Sequence, residues 1–276
     1  MRIGLVTDST ADIPPEIADV HSIQVVPDII VIDGKSIEDG IGLSRHDFYE
    51  RLPELKSLPT TAAPSAGAFQ KRYESLFQQG VDRIISVHAS SLLSGICNAA
   101  SVAAQAFNQR VHVVDSGQLS LGLGFQVLAA AEAIMDGLPI EAVLDRIADV
   151  NRRVHVIAML DTLEYVRRSG RVSWARARLG SLLQIKPFLD VRNGQVFSLG
   201  ESRTRKRGIA RLRELALSLG PLERLAILHT SAEVEAHQLL KSLEANASLP
   251  AFVIQVTTVI GVHVGPKGLG IAAVTK

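Results

Sequence analysis

The chain has 276 residues, of which 47% are hydrophobic and 21% charged, and it contains a single cysteine. This composition is typical of a globular protein and excludes a disordered chain, a collagen and a disulfide-stabilised scaffold. Because Lys and Arg number 29 against 28 Asp and Glu, attraction to nucleic acid or to an anionic membrane would need a local basic patch.

In the first half of the chain, short β-branched apolar segments alternate with segments in which apolar residues recur every three or four positions. The first kind predicts strands and the second predicts helices. The predicted strands cover residues 3–7, 23–32, 83–88 and 111–115, and the predicted helices cover residues 46–52, 67–79, 95–108 and 122–135. This alternation indicates a mainly parallel sheet with helices on both faces.

The second half has a different pattern, with a basic helical stretch after residue 160 and a turn at Asn193-Gly194 that predicts a tight hairpin. Its predicted strands cover residues 154–160, 188–191, 195–199, 224–229, 252–256 and 270–275, and its helices cover residues 206–219 and 233–246. We therefore predict an α/β protein of two domains. Residues 1–150 would form an α/β domain around the parallel sheet, and residues 151–276 an α+β domain with a mixed or antiparallel sheet.

Hydroxyl side chains gather where predicted strands end, and most residues of this kind cap helices or form turns. Ligands of open α/β sheets bind beyond the carboxyl ends of the strands. Some of these hydroxyls are therefore candidates to bind a carboxylate without a buried counter-charge. The members of this set are Thr7, Ser9, Thr10, Thr60, Thr61, Ser65, Ser90, Ser91, Ser94 and Ser116.

Cofactor, metal and membrane signals are weak throughout. The glycines at 117, 122 and 124 are in the wrong order for a dinucleotide fingerprint, and one cysteine with eight scattered histidines has no zinc-binding spacing. The longest apolar stretch, residues 119–135, is shorter than the ~20 residues of a membrane span. We expect no cofactor, no metal and no transmembrane segment. The absence of a signal-peptide pattern predicts a cytoplasmic protein, for which transient contact with a membrane surface stays open.

Eight segments, taken together and in order, resemble the DegV family. They are TDSTADIP at 7–14, VVPDIIVIDGK at 25–35, PTTAAPSAGAF at 59–69, SSLLSG at 90–95, VVDSGQLSLGLG at 113–124, SGRVS at 169–173, LLQIKP at 182–187 and HVGPKGLGI at 263–271. Each segment alone is a loose match, but the eight are collinear over almost the whole chain.

The resemblance implies a carrier, rather than an enzyme, that binds one long-chain fatty acid such as palmitate, stearate or oleate in a cleft between two domains. It implies that Thr61 and Ser94 bind the carboxylate. It places Arg171 and His263 near the head group, where a partner fatty-acid kinase would phosphorylate the carboxylate for phospholipid synthesis. The predicted neighbours of this pocket are Ser9, Thr60, Ser91 and Ser116.

The chain departs from the family pattern at two positions. Ile96 stands where the family has a threonine after Ser94-Gly95, and Lys267 follows Gly265-Pro266 in place of a glycine. These changes bear on the preferred acyl chain and on the pairing with a kinase more than on lipid binding itself.

Two other functions stay open from the residues. A nucleic-acid-binding protein would use the basic faces at 167–178 and 203–213, although aromatic residues are only 4% of the chain. An acidic kinase docking on these faces would explain the same charges. An acyl-ester hydrolase would use Ser94, or Cys97 with its pKa lowered by a helix dipole, and His88 is the candidate base.

Overall fold

The computed structural model describes residues 1–172, 175 and 185–276. In chain order the strands are β1 (Ile3–Asp8), β2 (Ile23–Val26), β3 (Ile29–Ile32), β4 (Lys35–Glu38), β5 (Thr60–Ala62), β6 (Arg83–His88), β7 (Val111–Asp115), β8 (Val154–Met159), β9 (Lys186–Arg192), β10 (Gln195–Ser202), β11 (Leu222–His229), β12 (Phe252–Gln255) and β13 (Leu269–Thr275). The helices are α1 (Pro15–Val20), α2 (Arg45–Arg51), α3 (Ala66–Gln78), α4 (Ile96–Ala104), α5 (Leu121–Met135), α6 (Ile140–Arg153), α7 (Glu164–Ser169), α8 (Arg205–Ser218), α9 (Glu233–Leu243) and α10 (Thr258–Val264).

The first sheet has the strand order β2-β1-β6-β7, and all of its neighbouring strands are parallel. Helices α3 and α4 contact each other and pack against the sheet, and α5 packs against β1 and β6. Ile84, Ile85 and Val87 on β6 are fully buried, because both faces of a parallel sheet are covered in such folds. The prediction of a mainly parallel sheet within an α/β protein is confirmed.

The prediction of one strand over residues 23–32 is wrong. Strand β2 ends before Pro27-Asp28, and the next strand, β3, belongs to a separate antiparallel sheet of order β4-β3-β5. Proline has no N–H to donate to a neighbouring strand, which explains why the ladder of β2 stops there. Strand β4 is largely exposed and β5 has three residues, so neither has the apolar alternation that predicts a strand.

The third sheet has the order β10-β9-β8-β13-β11-β12 and is mixed, as predicted. Only β11 and β12 are parallel among its described pairs. The predicted hairpin joins β9 to β10, and its turn residues Asn193 and Gly194 both have positive φ, 49° and 74°. This conformation matches the right-handed twist of the flanking strands.

The two faces of the third sheet contact different helices. Val156, Ala226 and Ala272 belong to a hydrophobic core that is continuous with the first sheet through α5. Residues of the other face, such as Ile157 and Ile271, pack in a separate core with α8 and α9. The predicted domain boundary near residue 150 falls in the last turn of α6 and stays a prediction.

Candidate functional site

A cavity of about 480 Å³ lies where strands of the second and third sheets meet loops that follow strands of the first sheet. This volume is typical of sites that bind small molecules. Its walls are mainly aliphatic, and they are formed by strands of the third sheet, by the loop after β6, by the start of α5 and by α10. The polar residues of the lining include Thr61, Ser94, Arg171 and His263.

The floor of the cavity is a row of residues that pair across the third sheet. Ala158 on β8 pairs with Leu189 and with Gly270, and Gly270 pairs with Leu228. All four line the cavity, since directly paired residues share one face of a sheet. The two smallest side chains are central, so the floor forms a trough. A Cβ atom at Gly270 would lie 2.9 Å from the carbonyl oxygen of Ile157, so a larger residue there would require a shift.

Thr61 and His263 form a polar contact in the cavity wall. Thr61 lies on β5 and His263 on α10, and Thr61 Oγ1 is 2.9 Å from His263 Nε2. Burial, and then the charge of Arg171, lowers the pKa of His263 to about 4. The imidazole is therefore neutral at neutral pH. Its Nδ1 is buried, and no described residue supplies a hydrogen-bond partner to it.

Ser94 lies in the loop that connects β6 to α4. Its Oγ accepts a hydrogen bond from the N–H of Ile96, the first residue of α4, at 3.4 Å. A Cβ atom at Gly95 would be 3.9 Å from the Cβ of Ala63, so this loop lies against the residue that follows β5. The structure thus brings Ser94 and Thr61 to the same cavity, from positions distant in sequence.

Arg171 lies just after α7 and is an exposed member of the cavity wall. Its Nη1 donates to the carbonyl oxygen of Ser169 at 2.6 Å, and its N–H donates to Ser169 Oγ. The side chain is exposed but lines the cavity, and its charge acts on His263. A cation in this position is suited to an anionic group at the cavity mouth.

The other predicted neighbours divide into two groups. Ser91 lines the cavity, whereas Ser9, Thr60 and Ser116 are not among the described residues that form its wall. Ser9 is hydrogen-bonded to Asp28, Thr60 is exposed on β5, and buried Ser116 is bonded to the backbone of Gln118.

The two departures from the family pattern have different surroundings. Ile96 is 2% exposed and lines the cavity, so it adds an aliphatic surface beside Ser94. Lys267 is exposed, has a φ of 60° and accepts a hydrogen bond from Arg205 through its carbonyl oxygen.

The geometry does not support the hydrolase hypothesis. Burial, and then Asp115, raises the pKa of Cys97 to about 11, so the predicted lowering by a helix dipole is wrong because desolvation of the thiolate dominates. His88 bonds Asp8 through Nδ1 at 2.9 Å and Ser86 through Nε2 at 2.7 Å. Both of its nitrogens are therefore occupied, and no base contacts Ser94 among the described residues.

The basic faces are only partly described, since Arg176 and Arg178 lie outside the described residues. Arg168 pairs with Glu164 on its own helix. Arg205 pairs with Glu235 and Asp161, and Arg211 donates to the carbonyl oxygen of Leu199. Several of these charges are thus used within the protein, as in an ordinary solvated helix face.

The described parts of the chain contain neither a metal-binding cluster nor a membrane-spanning helix. Within residues 1–172, 175 and 185–276, no cluster of three or more His, Cys, Asp or Glu side chains is arranged to hold a metal ion. None of the helices in these ranges combines the length and hydropathy needed to cross a bilayer.

The DegV family model, described as that of an uncharacterised protein, matches residues 2–276. Protein DegV of Bacillus subtilis is 35% identical over 277 residues, and the match covers 98% of each chain. A DegV family protein of Thermus thermophilus, whose structure is described by its fatty-acid binding, is 33% identical and has a TM-score of 0.92 over 100% of both chains. The crystal structure of Bacillus subtilis DegV, described as a fatty acid binding protein, has a TM-score of 0.88 at 34% identity over 100% of both chains. The fold, the full-length match and these relatives lead to one conclusion: the chain belongs to the DegV family.

Proposed function

We propose that this protein binds one long-chain fatty acid in the cavity and presents its carboxylate to a fatty-acid kinase. The observation that carries the first part is the aliphatic trough around Ala158 and Gly270, with hydroxyl groups grouped at another part of the wall. Relatives at 33% and 34% identity are described as binding fatty acids. The cavity would be the cleft between the two predicted domains.

The acyl tail supplies most of the affinity in this arrangement. Burying roughly fifteen methylenes at ~0.8 kcal/mol each gives a gross gain on the order of 12 kcal/mol. Part of this gain is offset by the lost freedom of the ligand. The head-group contacts then mainly determine which end of the ligand faces Thr61 and Ser94.

The neutral His263 orients the hydroxyl of Thr61. When Nε2 carries the imidazole proton, it donates to Thr61 Oγ1, and the hydroxyl proton of Thr61 is free to donate to a carboxylate. This tautomer leaves only an acceptor lone pair unpaired at Nδ1. Ser94 supplies the second hydroxyl donor, so the carboxylate is held by neutral groups.

The first test is denaturing extraction of the purified protein, followed by mass spectrometry of the released small molecules. We expect a stoichiometric long-chain fatty acid, whose mass also gives the chain length. An empty extract, together with no uptake of added palmitate, stearate or oleate, would contradict the proposal.

The kinase step predicts a distinct role for Arg171. The guanidinium would compensate the charge added when the carboxylate becomes an acyl phosphate, and it contributes little to burial of the tail. We expect Arg171→Ala to retain palmitate affinity within about two-fold and to lower acyl-phosphate formation with a fatty-acid kinase by about ten-fold or more.

Arg167→Ala, on the exposed side of α7, is the matched control and should leave both measurements unchanged. Equal losses of binding and phosphorylation in Arg171→Ala would contradict the separation of roles.

We propose that the protein acts in the cytoplasm as a carrier that supplies acyl groups for phospholipid synthesis.

A further inference from the structure

Asp28 is a buried carboxyl group in the wall of the cavity. It is 1% exposed and lines the cavity. It belongs to the segment at 25–35, to which the family resemblance assigns no functional residue. Its Oδ2 accepts a hydrogen bond from Ser9 Oγ at 3.1 Å, whereas no described residue provides a partner for the buried Oδ1. Buried polar atoms are almost always paired, so an unpaired oxygen on a residue that lines the cavity is a candidate contact for a ligand group.

The position of Asp28 relative to Thr61 follows from the strand register. Asp28 lies two residues before Ile30, and Ile30 pairs with Thr61 across the β3–β5 ladder. The backbone at Asp28 continues the neighbouring ladder, because its carbonyl oxygen accepts from the N–H of Asp39 at 2.9 Å. Diagonal neighbours of this kind have Cα atoms about 7–8 Å apart on one face of a sheet. A carboxylate between Asp28 and Thr61 can therefore contact both side chains.

The hydrogen bonds and charges around Asp28 determine its protonation state. Ser9 Oγ accepts from the N–H of Asp28 and donates to Oδ2, so a proton on the carboxyl group is carried by Oδ1. Burial, and then the charge of Asp8, raises the pKa of Asp28 well above its ordinary value, and these causes outweigh the hydrogen bonds from Ser9 and from the Thr10 backbone, which lower that pKa. A protonated Asp28 beside a bound carboxylate would share its proton with that carboxylate, and this avoids the repulsion of two buried negative charges.

We propose that Asp28 is a third ligand of the fatty-acid head group and that its protonated Oδ1 donates a hydrogen bond to the bound carboxylate. This inference rests on the proposed function. Asp28 and the bound carboxylate together share one proton and carry one negative charge. The hydroxyls of Thr61 and Ser94 and the cation Arg171 face this charge. No bond other than hydrogen bonds forms or breaks, and the proton stays within the pair.

The first experiment compares palmitate affinity in wild type, Asp28→Leu and Asp28→Asn. Leucine has a similar size but no donor, so we expect Asp28→Leu to weaken binding by about ten-fold or more. The amide introduced by Asp28→Asn is a neutral donor of similar shape, so this variant should bind within a few-fold of wild type. Thermal unfolding checks that both variants fold.

The second experiment follows the ratio of wild-type to Asp28→Asn affinity as the pH rises from neutral to alkaline. Loss of the proton from Asp28 places two like charges together in wild type, so the affinity ratio should fall. Ionisation of the fatty acid itself affects both proteins equally and therefore cancels in the ratio. His229 and His263 have lowered pKa values and stay neutral in this range. Other charged groups around Asp28 and the cavity are Asp8, paired with His88, Asp39, bonded to Thr258, and Arg171. Asp12 accepts a hydrogen bond from the cavity residue Ser120, and burial raises its pKa to about 6, so Asp12 is ionised over the alkaline range.

The outcomes separate this inference from the proposed function. Failure of wild type to bind palmitate or any fatty acid would contradict the proposed function itself. Wild-type binding with an equally tight Asp28→Leu variant would overturn the role of Asp28 alone. An affinity ratio that stays level or rises with pH would overturn the shared proton.

Discussion

Ala158→Leu should lower the affinity for palmitate by roughly a hundred-fold. The substitution adds an isopropyl group to the centre of the trough, where Ala158 pairs with Gly270 and faces the cavity. Excluding three or four methylenes of the ligand at ~0.8 kcal/mol each costs about 3 kcal/mol, which corresponds to roughly that factor. Isothermal titration or displacement of a fluorescent fatty acid would measure the change.

The matched control is Ala210→Leu, the same substitution on the exposed face of α8, which should bind as wild type does. The Ala158 variant should unfold at a temperature close to that of wild type, because the new side chain enters a space that is empty without ligand. Unchanged palmitate affinity in a folded Ala158→Leu protein would show that the tail does not occupy the trough.

The double variant Thr61→Val with Ser94→Ala should have the second large effect, a loss of palmitate affinity of about a hundred-fold or more. Each hydroxyl is expected to donate to a charged carboxylate, and removal of one such hydrogen bond costs about 1.5–3 kcal/mol. Valine keeps the branched shape of Thr61, so the loss reports the donor rather than the packing. The loss of a partner for His263 Nε2 should also lower the unfolding temperature slightly.

Thr60→Val is the control for this pair, since Thr60 lies on the same strand with an exposed hydroxyl. A second readout is the preference for palmitic acid over its methyl ester, which depends on recognition of the carboxylate. Wild type should prefer the acid, and the double variant should lose that preference. Full affinity and an unchanged preference in the double variant would contradict the head-group assignment.

Local sequence pattern was sufficient for elements whose residues are buried by their nearest neighbours. The bounds of β6 and β7 agree with the predicted residues 83–88 and 111–115, because β-branched runs between turn residues have few alternatives to a strand. The α/β class followed from the same alternation. The short sheet of β3, β4 and β5 was not predicted, because its pairing depends on segments with weak periodicity of their own.

The family resemblance identified residues that tertiary structure then brings to one cavity. Thr61, Ser94, Arg171 and His263 all line it, although their roles stay predictions until the variants are measured. Asp28 was missed because a single Asp after a proline is usually a turn residue. Only its burial and its unpaired oxygen distinguish it.

The sequence by itself determined the class of fold, most of the helices and strands, and, through its resemblance to relatives, the residues to inspect. Tertiary structure alone decided which of them meet. Thr61 and His263 are 202 residues apart in the chain, and the trough depends on the register that pairs Ala158 with Gly270. Such contacts arise because burial of apolar faces selects strand order and register over the whole chain, and local pattern alone does not determine that choice.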